Sequence, residues 1–397
     1  MNELFQLKQK FEHIFSTGSK EARIFFAPGR VNLIGEHTDY TGGFVFPAAL
    51  TIGTWAIVTP RTDGRFRLAS TAFDNQLVVD ADNLTYREED GWANYPKGII
   101  REFNKMGVQL KGCDLLFHGN IPNGAGLSSS ASIELVTAVA LKDTHEVNIP
   151  MLQLVQLAQR AENQFVGVHS GIMDQFAVGM GKADHAVLLK CDTLNYRYTP
   201  LRLGAYQLVI TNTNKRRGLG DSKYNERRKE CEEGFTMIKQ ALASSTCLGD
   251  VTVEQWEEVK RSIRSEVIRR RLEHVVRENA RVAASTKVLE AGYLEAFGQY
   301  MIQSHESLRD LYQVTGFELD TLFEETRNVD GCIGTRMTGA GFGGCTVSLV
   351  HKDALEDFKS RVVDGYQGKT GLTPTFYVCA VGNGAREVTE EAELCLF

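Results

Sequence analysis

The chain has 397 residues, of which 43% are hydrophobic and 24% are charged, and its formal net charge at pH 7 is −6. This composition excludes disordered and collagen-like chains, and the mild acidity argues against a dedicated nucleic-acid-binding protein, in which clustered basic residues supply most of the affinity. No apolar run approaches about 18 residues, so the sequence predicts no membrane-spanning helix. The length indicates two or three domains of a globular protein.

The first 15 residues predict a surface helix. Apolar residues recur there at helical spacing with charged residues between them, at Leu4, Leu7, Phe11 and Ile14. A secretory signal has instead an uninterrupted apolar core, so we expect a cytoplasmic protein whose eight cysteines stay reduced. None of these cysteines forms a C-x-x-C pair, so the sequence does not predict a zinc site.

Strands are predicted along most of the chain. The first covers residues 24–27 and ends at the Pro28-Gly29-Arg30 break, and residues 113–121 alternate as a half-buried strand does. Further strand-like runs lie at residues 44–52, 54–59, 186–189, 207–211, 332–337, 346–350 and 376–381.

Helical spacing is found at residues 130–142 and 151–164 and dominates residues 223–326. Because strands and helices interleave without a regular β-α-β repeat, we predict an α+β fold rather than a doubly wound one. A composition shift near residues 190–205 divides the chain into two predicted domains, 1–200 and 201–397.

A basic run covers residues 261–281 and includes the triplet 269–271. An apolar stripe passes through the run, and glutamates are interspersed with the arginines. This pattern predicts the solvated face of a helix, with a nucleic-acid patch as the alternative.

Residues 122–132, with the sequence PNGAGLSSSAS, lie between a predicted strand and a predicted helix. Gly124 and Gly126 allow the backbone to approach a ligand closely, and three serines then begin the helix, where the helix dipole favours anions. We interpret the segment as a phosphate-binding loop, although a serine-capped helix after a tight turn is the alternative. The Walker and dinucleotide-binding motifs do not fit, because no Gly-Lys-Ser/Thr follows and Ser129 replaces the third glycine.

Three other segments carry polar or glycine-rich patterns. Residues 28–43 crowd Arg30, Glu36, His37 and Asp39 among glycines, which suits a ligand covered in hydroxyl groups, or a structural loop. Residues 337–344 contain four glycines before a strand, so they form either a loop against a nucleotide or against the phosphate-binding loop, or a plain hairpin connection. Glu162 and Asp174 bracket a further polar segment, and Asp174 taken alone also fits a charge at the start of a helix.

These segments resemble the galactokinase family. Residues 29–40 are similar to the galactokinase signature, and residues 122–132 and 337–344 are similar to two motifs of the wider superfamily of galactokinase, homoserine, mevalonate and phosphomevalonate kinases. Additional similar segments extend the resemblance over nearly the whole chain, at residues 222–231, 274–279, 304–310 and 384–387.

The resemblance implies a fold and a reaction. The fold would have an N-terminal domain with a mixed sheet backed by helices, a C-terminal α+β domain, and a site in the cleft between them. The reaction would transfer the γ-phosphoryl group of ATP to the 1-hydroxyl of α-D-galactose. Asp174 would either accept the proton of that hydroxyl or only orient it. Arg30 would lie between Asp174 and the phosphate, keep Asp174 ionised and stabilise charge on the moving group.

The resemblance also assigns binding residues. The sugar would be bound by Glu36, His37, Thr38, Asp39, Gly171 and Tyr224. ATP, the co-substrate, would contact Ser70 and the loop residues Gly124, Ala125, Gly126, Leu127, Ser128, Ser129 and Ser130. Mg²⁺ would be held by Ser130 and Glu162, whose oxygen atoms suit a hard cation. We expect a monomer that binds neither nucleic acid nor membranes.

Two alternatives to this function follow from the same motifs. The acceptor would be N-acetylgalactosamine or another small alcohol in the first, and the residues near the 2-hydroxyl would decide between these acceptors. The second is a sugar-responsive regulator without catalysis. Such relatives lose residues of the phosphate-binding loop, whereas this chain retains Ser130-Ala131 together with Arg30 and Asp174.

Overall fold

The computed structural model describes residues 3–18, 21–122, 124–168, 170–215, 220–242 and 245–390. The α-helices within these residues are α1 (Glu3–Phe15), α2 (Asn94–Lys105), α3 (Ser129–Thr144), α4 (Met151–Ala161), α5 (Met173–Met180), α6 (Gly220–Ile238), α7 (Val253–Val259), α8 (Glu266–Glu290), α9 (Leu294–Ser307), α10 (Phe317–Arg327) and α11 (Leu355–Thr370). Two π-helical turns, Glu162–Val166 and Leu308–Tyr312, follow α4 and α9. None of the described helices is both long and apolar enough to cross a membrane.

The strands of the described residues are β1 (Arg23–Asn32), β2 (Phe44–Val45), β3 (Pro47–Pro60), β4 (Arg65–Ser70), β5 (Leu77–Asp80), β6 (Cys113–Gly119), β7 (His185–Lys190), β8 (Asn195–Pro200), β9 (Tyr206–Asn212), β10 (Cys332–Thr338), β11 (Cys345–His351), β12 (Thr375–Cys379) and β13 (Arg386–Glu387). Most of the predicted elements are present. The elements α2, α11, β4, β5, β8 and β13 were not predicted from the sequence.

The strands form a six-stranded, a four-stranded and a three-stranded sheet, with the orders β13-β1-β3-β6-β4-β5, β10-β11-β9-β12 and β2-β7-β8. Neighbouring strands are antiparallel except β4 and β6. This mainly antiparallel arrangement confirms the α+β fold. The domain boundary at residue 200 stays a prediction, and β13, from the end of the chain, pairs with β1 in the first sheet.

Helices cover both faces of the six-stranded sheet. Helices α2 to α5 form one apolar core with it, and α1 packs on the opposite face through Leu7, Phe11 and Phe15, which confirms the predicted surface helix. As a result β6 is buried on both faces for most of its length, so the prediction of a half-buried strand is wrong. Asp114, which points away from the apolar core, is buried with ion pairs to Arg61 and Arg67.

The prediction that strand β1 ends at Pro28-Gly29-Arg30 is wrong. The strand continues to Asn32, and its pairing with β3 shifts register between Pro28 and Arg30, as a β-bulge does. A side chain at Gly29 would lie 2.9 Å from the Leu127 carbonyl oxygen, so glycine allows the bulge to pack directly on the loop that follows β6. The bulge thus carries Arg30 to the end of the sheet where the polar segments gather. The two strands predicted at 44–52 and 54–59 are the short β2 and the single long β3.

The prediction of a solvated face for the basic run is wrong at Arg271. Helix α8 presents Arg270 to solvent, but Arg271 is only 3% exposed. Its guanidinium donates to Glu230 Oε2 at 2.9 Å and to the Leu311 carbonyl at 2.6 Å. Arg271 therefore holds the π-helical turn Leu308–Tyr312 against α6 and α8.

Candidate active site

A cavity of about 200 Å³ lies where the polar segments meet. Strand β1, the loop after it, the starts of α3 and α5, helix α6 and the loop after β10 all contribute to its wall. The described lining residues are Arg30, Glu36, His37, Asp39, Ser130, Glu162, Val168, Ser170, Gly171, Met173, Asp174, Tyr224, Gly339 and Ala340. The structure thus brings together residues that are as far as 310 positions apart.

Arg30 and Asp174 form the central ion pair of the cavity. Arg30 donates from Nε and Nη2 to Asp174 Oδ1, at 2.8 and 2.7 Å, and from Nη1 to the Gly126 carbonyl at 2.6 Å. The second carboxylate oxygen of Asp174 accepts from Ser128 Oγ at 2.5 Å. Arg30 is buried, whereas the Asp174 side chain is 27% exposed toward the cavity. The guanidinium therefore lies between a reachable carboxylate and the glycine-rich loop.

The loop Gly124–Ser130 surrounds this ion pair from one side. The side chains of Ala125 and Leu127 are buried in the core, so only their backbone atoms are available to a ligand. Ser129 and Ser130 begin α3, where Ser129 is exposed and Ser130 lines the cavity. Ser128 adopts a left-handed conformation with φ 61° and uses its hydroxyl on Asp174. Asn123 lies outside the described residues.

The loop after β10, residues 339–344, packs on this phosphate-binding loop. A side chain at Gly339, whose φ is +87°, would lie 2.9 Å from the Gly126 carbonyl oxygen. The segment connects the antiparallel strands β10 and β11 as a hairpin does and also contacts the phosphate-binding loop, whereas its contact with a nucleotide stays a prediction.

Glu36 is held by groups from both halves of the chain. Its carboxylate accepts hydrogen bonds from the Asn32 side-chain amide and the Gly339 N–H, and Arg336 Nη1 lies 3.8 Å from Oε1. Burial raises the pKa of Glu36, and the cationic Arg336 and Arg30 oppose that rise. Glu36 is 1% exposed, yet it lines the cavity, so its carboxylate is fixed in position before a ligand enters.

His37 and Thr38 use their polar atoms on other groups of the protein, although His37 also lines the cavity, and the contact of both residues with a sugar stays a prediction. Both ring nitrogens of His37 are engaged, Nδ1 with Tyr40 Oη at 2.9 Å and Nε2 with the Ala340 carbonyl at 3.1 Å. The Thr38 hydroxyl lies 2.8 Å from the Gly35 carbonyl and 2.7 Å from the Phe44 carbonyl, and its side chain is fully buried outside the cavity lining. Thr38 thereby satisfies carbonyl groups of its own tight loop, whereas His37 joins this loop to the loop after β10. These two side chains shape the loop.

Asp39, Gly171 and Tyr224 meet on the opposite wall. A side chain at Gly171 would lie 1.8 Å from Asp39 Oδ2, so the Asp39 carboxylate fits only against a glycine backbone. Burial, and then the nearby Asp174 carboxylate, raise the pKa of Asp39 to about 7. The Tyr224 ring packs against the His37 and Tyr40 rings, with centroids 5.6 and 5.3 Å apart.

Glu162 belongs to a buried carboxylate cluster. It accepts from Ser170 Oγ at 2.5 Å and from Gln175 Nε2 at 2.7 Å, and Gln175 also donates to Glu134 Oε2 at 3.1 Å. Burial raises the pKa of Glu162, and burial together with the Glu162 carboxylate raises that of Glu134 well above its ordinary value. Glu134 Oε1 and Gln175 Oε1 are buried without a hydrogen-bond partner. A divalent cation beside Ser130 and Glu162 fits this excess of oxygen donors and negative charge.

Ser70 lies apart from the cavity lining. It ends β4, and its Oγ accepts from the Ala72 N–H at 3.2 Å. Its strand pairs with β6, which leads into the phosphate-binding loop, so the position is compatible with a contact to the distal part of a nucleotide.

Two residues of the site were missed by the sequence analysis. Glu134 lies four residues after Ser130 on α3, and a buried acid one turn beyond a helix start in an otherwise apolar helix is a usable signal. Arg336 lies in the buried strand just before the glycines of residues 339–344, where an arginine in an apolar run is the corresponding signal.

We expect Asp39→Asn to stabilise the ligand-free protein as the pH rises. The ordinary aspartate of the unfolded chain ionises near pH 3.8, whereas folded Asp39 resists ionisation up to about pH 7. Between these values the unfolded chain gains stability relative to the fold, and asparagine escapes this loss because it cannot ionise. The thermal midpoint of the variant should therefore exceed that of the wild type by a few degrees near about pH 8 and by less near about pH 5.

Asp63→Asn is the matched control for this prediction. The Arg61 hydrogen bond lowers the pKa of this exposed aspartate to about 2, so its replacement brings no such gain. A difference between Asp39→Asn and wild type that stays constant over this pH range would contradict the assignment of a raised pKa to Asp39.

Three segments of the chain match models of known protein families. Residues 9–60 match the galactokinase galactose-binding signature. Residues 94–182 match the N-terminal domain of GHMP kinases, and residues 285–367 match their C-terminal domain.

Individual relatives extend these matches over nearly the full length. The chain is 54% identical to a galactokinase of Halalkalibacterium halodurans, over 92% of this chain and 93% of the relative. It is 50% identical to a galactokinase of Bacillus subtilis, over 97% of this chain and 99% of the relative.

Solved structures agree. Lactococcus lactis galactokinase complexed with galactose superposes with a TM-score of 0.94 at 43% identity, covering 97% of this chain and 100% of that one. Mevalonate kinase of Methanococcus jannaschii, at 17% identity and a TM-score of 0.65, shares the fold. With identities of this size over nearly all of its length, the chain belongs to the galactokinase family.

Proposed function

We propose that this chain transfers the γ-phosphoryl group of ATP to the 1-hydroxyl of α-D-galactose, giving α-D-galactose 1-phosphate. The observation that carries the proposal is the bridge made by Arg30, which binds Asp174 on one side and the Gly126 carbonyl of the phosphate-binding loop on the other. The galactokinases similar to this chain, one of them solved with galactose, support the choice of acceptor.

The geometry suits phosphoryl transfer because that reaction depends mainly on alignment and charge neutralisation. Asp174 offers an accessible carboxylate at the cavity wall, to which the 1-hydroxyl donates its hydrogen bond and, on attack, its proton. Arg30 holds that carboxylate in one orientation and places positive charge where the phosphoryl group passes. Ser128 fixes the second carboxylate oxygen, so the carboxylate does not rotate away from the acceptor.

The remaining hydroxyls of the sugar would be bound by Glu36, Asp39, the Gly171 backbone and Tyr224. The Glu36 carboxylate is buried and held by hydrogen bonds, and the half-buried Asp39 carboxylate packs against Gly171, so an acceptor that lacks a hydroxyl at the matching position loses a hydrogen bond to a carboxylate. One such lost hydrogen bond to a charged group costs about 1.5–3 kcal/mol, which corresponds to a preference of roughly tenfold to a hundredfold. We therefore expect selection by sugar epimer.

ATP would contact the backbone of residues 124–130 and the positive end of α3. Ser130 and Glu162 would hold Mg²⁺, which when bound neutralises phosphate charge. Glu134 and Gln175 would orient Glu162 from behind. The proposed site uses residues of one chain only, and a monomeric enzyme stays a prediction.

The function is tested by an acceptor panel with ATP consumption as the readout. Purified protein should phosphorylate galactose only when Mg²⁺ and ATP are both present, and should turn over glucose at least about tenfold more slowly. N-acetylgalactosamine belongs in the panel because the residues near the 2-hydroxyl decide its acceptance. Equal rates on galactose and glucose would overturn the sugar assignment, and galactose binding without any ATP consumption would indicate a regulator.

Asp174→Asn should lower kcat by about 10²- to 10⁴-fold while galactose still binds, because the shape of the side chain is kept and its charge and basicity are lost. Calorimetric titration with galactose and steady-state rates measure the two effects separately. Asp353→Asn, an aspartate whose side chain is 92% exposed, serves as the control. Near-normal turnover of Asp174→Asn would show that this carboxylate has no part in the reaction.

Gly171→Ala should raise the KM for galactose at least about tenfold and leave the KM for ATP within a factor of two. The added methyl group would occupy the space of Asp39 Oδ2 and displace that carboxylate. Gly368→Ala on α11 is the matched control, because a side chain there meets nothing within 4 Å. An unchanged KM for galactose would show that Asp39 and Gly171 do not line the sugar site.

A further inference from the structure

A chain of hydrogen bonds connects α6 to the loop that carries Glu36 and Asp39. Cys231 Sγ lies 3.1 Å from Tyr312 Oη, which in turn lies 2.7 Å from Tyr40 Oη. Tyr40 Oη lies 2.9 Å from His37 Nδ1, and His37 Nε2 lies 3.1 Å from the Ala340 carbonyl oxygen. The chain therefore crosses the site from the helical half to the loop after β10.

The protons in this chain have one consistent order. A carbonyl oxygen only accepts, so His37 Nε2 carries the hydrogen that it donates to Ala340. Burial, and then the nearby His274, lower the pKa of His37 to about 3, so the ring is neutral and Nδ1 accepts from the Tyr40 hydroxyl. Tyr40 then accepts from Tyr312, and Tyr312 accepts from the Cys231 thiol, whose pKa burial raises to about 12.

Two buried arginines anchor the backbone at Tyr312. It ends the π-helical turn Leu308–Tyr312, and its carbonyl accepts from Arg227 Nε at 2.8 Å. Arg271 donates to the preceding carbonyl, that of Leu311, at 2.6 Å. Since both arginines are buried and share the Glu230 carboxylate, the Tyr312 hydroxyl is held at a defined point of the interior.

His37 adopts a backbone conformation that its surroundings must stabilise. Its φ of +61° lies in the left-handed region, which costs a residue with a side chain about 1 kcal/mol or more unless its surroundings stabilise that conformation. Both ring nitrogens of His37 are hydrogen-bonded. In the sequence, His37 directly follows Glu36 and precedes Asp39 by two positions. The hydrogen bonds of the ring therefore act on the loop segment that joins these two carboxylates.

We propose that Tyr312 and Tyr40 are positioning residues for the sugar site, which through His37 hold Glu36 and Asp39 in their binding geometry. This inference rests on the proposed function, because it assigns the two carboxylates to the sugar. Neither tyrosine hydroxyl is proposed to contact the substrate.

The first test is Tyr312→Phe, which keeps the ring and removes the hydroxyl that donates to Tyr40. The KM for galactose should rise roughly tenfold, the size of one hydrogen bond, while the KM for ATP stays within a factor of two. Tyr366→Phe is the matched control, since Tyr366 is equally buried and its hydroxyl donates to the Thr213 carbonyl at 2.8 Å. A galactose KM that is unchanged in Tyr312→Phe, or raised equally in Tyr366→Phe, would overturn the proposal.

The second test asks whether the chain acts as a unit. Tyr40→Phe removes the bond to His37 itself, so adding Tyr312→Phe to it should have little further effect on the KM for galactose. Fully additive effects of the two changes would overturn the proposal. If Tyr312→Phe does not fold, Tyr40→Phe leaves the anchored turn intact and must by itself raise the galactose KM without raising that for ATP.

A measurement that does not depend on catalysis distinguishes a failure of this proposal from a failure of the proposed function. The ¹⁵N shifts of the His37 ring in the ligand-free wild type should report a neutral ring protonated at Nε2, and the Nδ1 shift should move in Tyr40→Phe. A ring protonated at Nδ1 would overturn the positioning chain even in an active galactose kinase. A wild-type protein that shows the expected ring but phosphorylates another acceptor would overturn the proposed function alone.

Discussion

The ion pair between Arg30 and Asp174 is the interaction on which the site depends. One guanidinium joins the bulged end of β1 to the first turn of α5 and to the Gly126 carbonyl of the loop before α3. Arg30 is only 4% exposed. Its charge is tolerated in the interior because the Asp174 carboxylate and the Gly126 carbonyl accept its hydrogen bonds. The same contacts fix the distance between the phosphate-binding loop and the carboxylate, so local stability and site geometry are coupled.

The rest of the cavity carries more negative charge than Arg30 balances. Glu36, Asp39 and Glu162 are held away from water, and burial raises the pKa of each of them. A cavity of this kind is unfavourable for the empty protein, since ionised carboxylates lose more solvation there than their few hydrogen bonds replace. In the proposed function, sugar hydroxyls and a divalent cation would restore those interactions. The arrangement is thus a site that is stabilised by its ligands, as pre-organised sites often are.

The sequence predicted the α+β fold and the segments that meet, because glycines, serines and clustered charges are local signals. Glu36, Asp39 and Asp174 line one cavity, as predicted. Local signals do not reveal partners that lie far away in the sequence, so the hydrogen bond between His37 Nε2 and the Ala340 carbonyl was not predictable. Arg271 was interpreted as part of a solvated face for the same reason, since its partners Glu230 and Leu311 are 40 or more positions away.

Gly339 shows why the three motifs act together. Its N–H donates to Glu36 of the loop after β1, and its α-carbon packs so closely on the Gly126 carbonyl that a side chain would lie 2.9 Å from that oxygen. One residue from the second half of the chain therefore contacts both the carboxylate assigned to the sugar and the loop assigned to the phosphates. Because packed interiors do not deform continuously, a displacement of the phosphate-binding loop must also displace Gly339 and its hydrogen bond to Glu36. A division of the chain at residue 200 consequently separates sequence segments but does not separate the sugar site from the phosphate site.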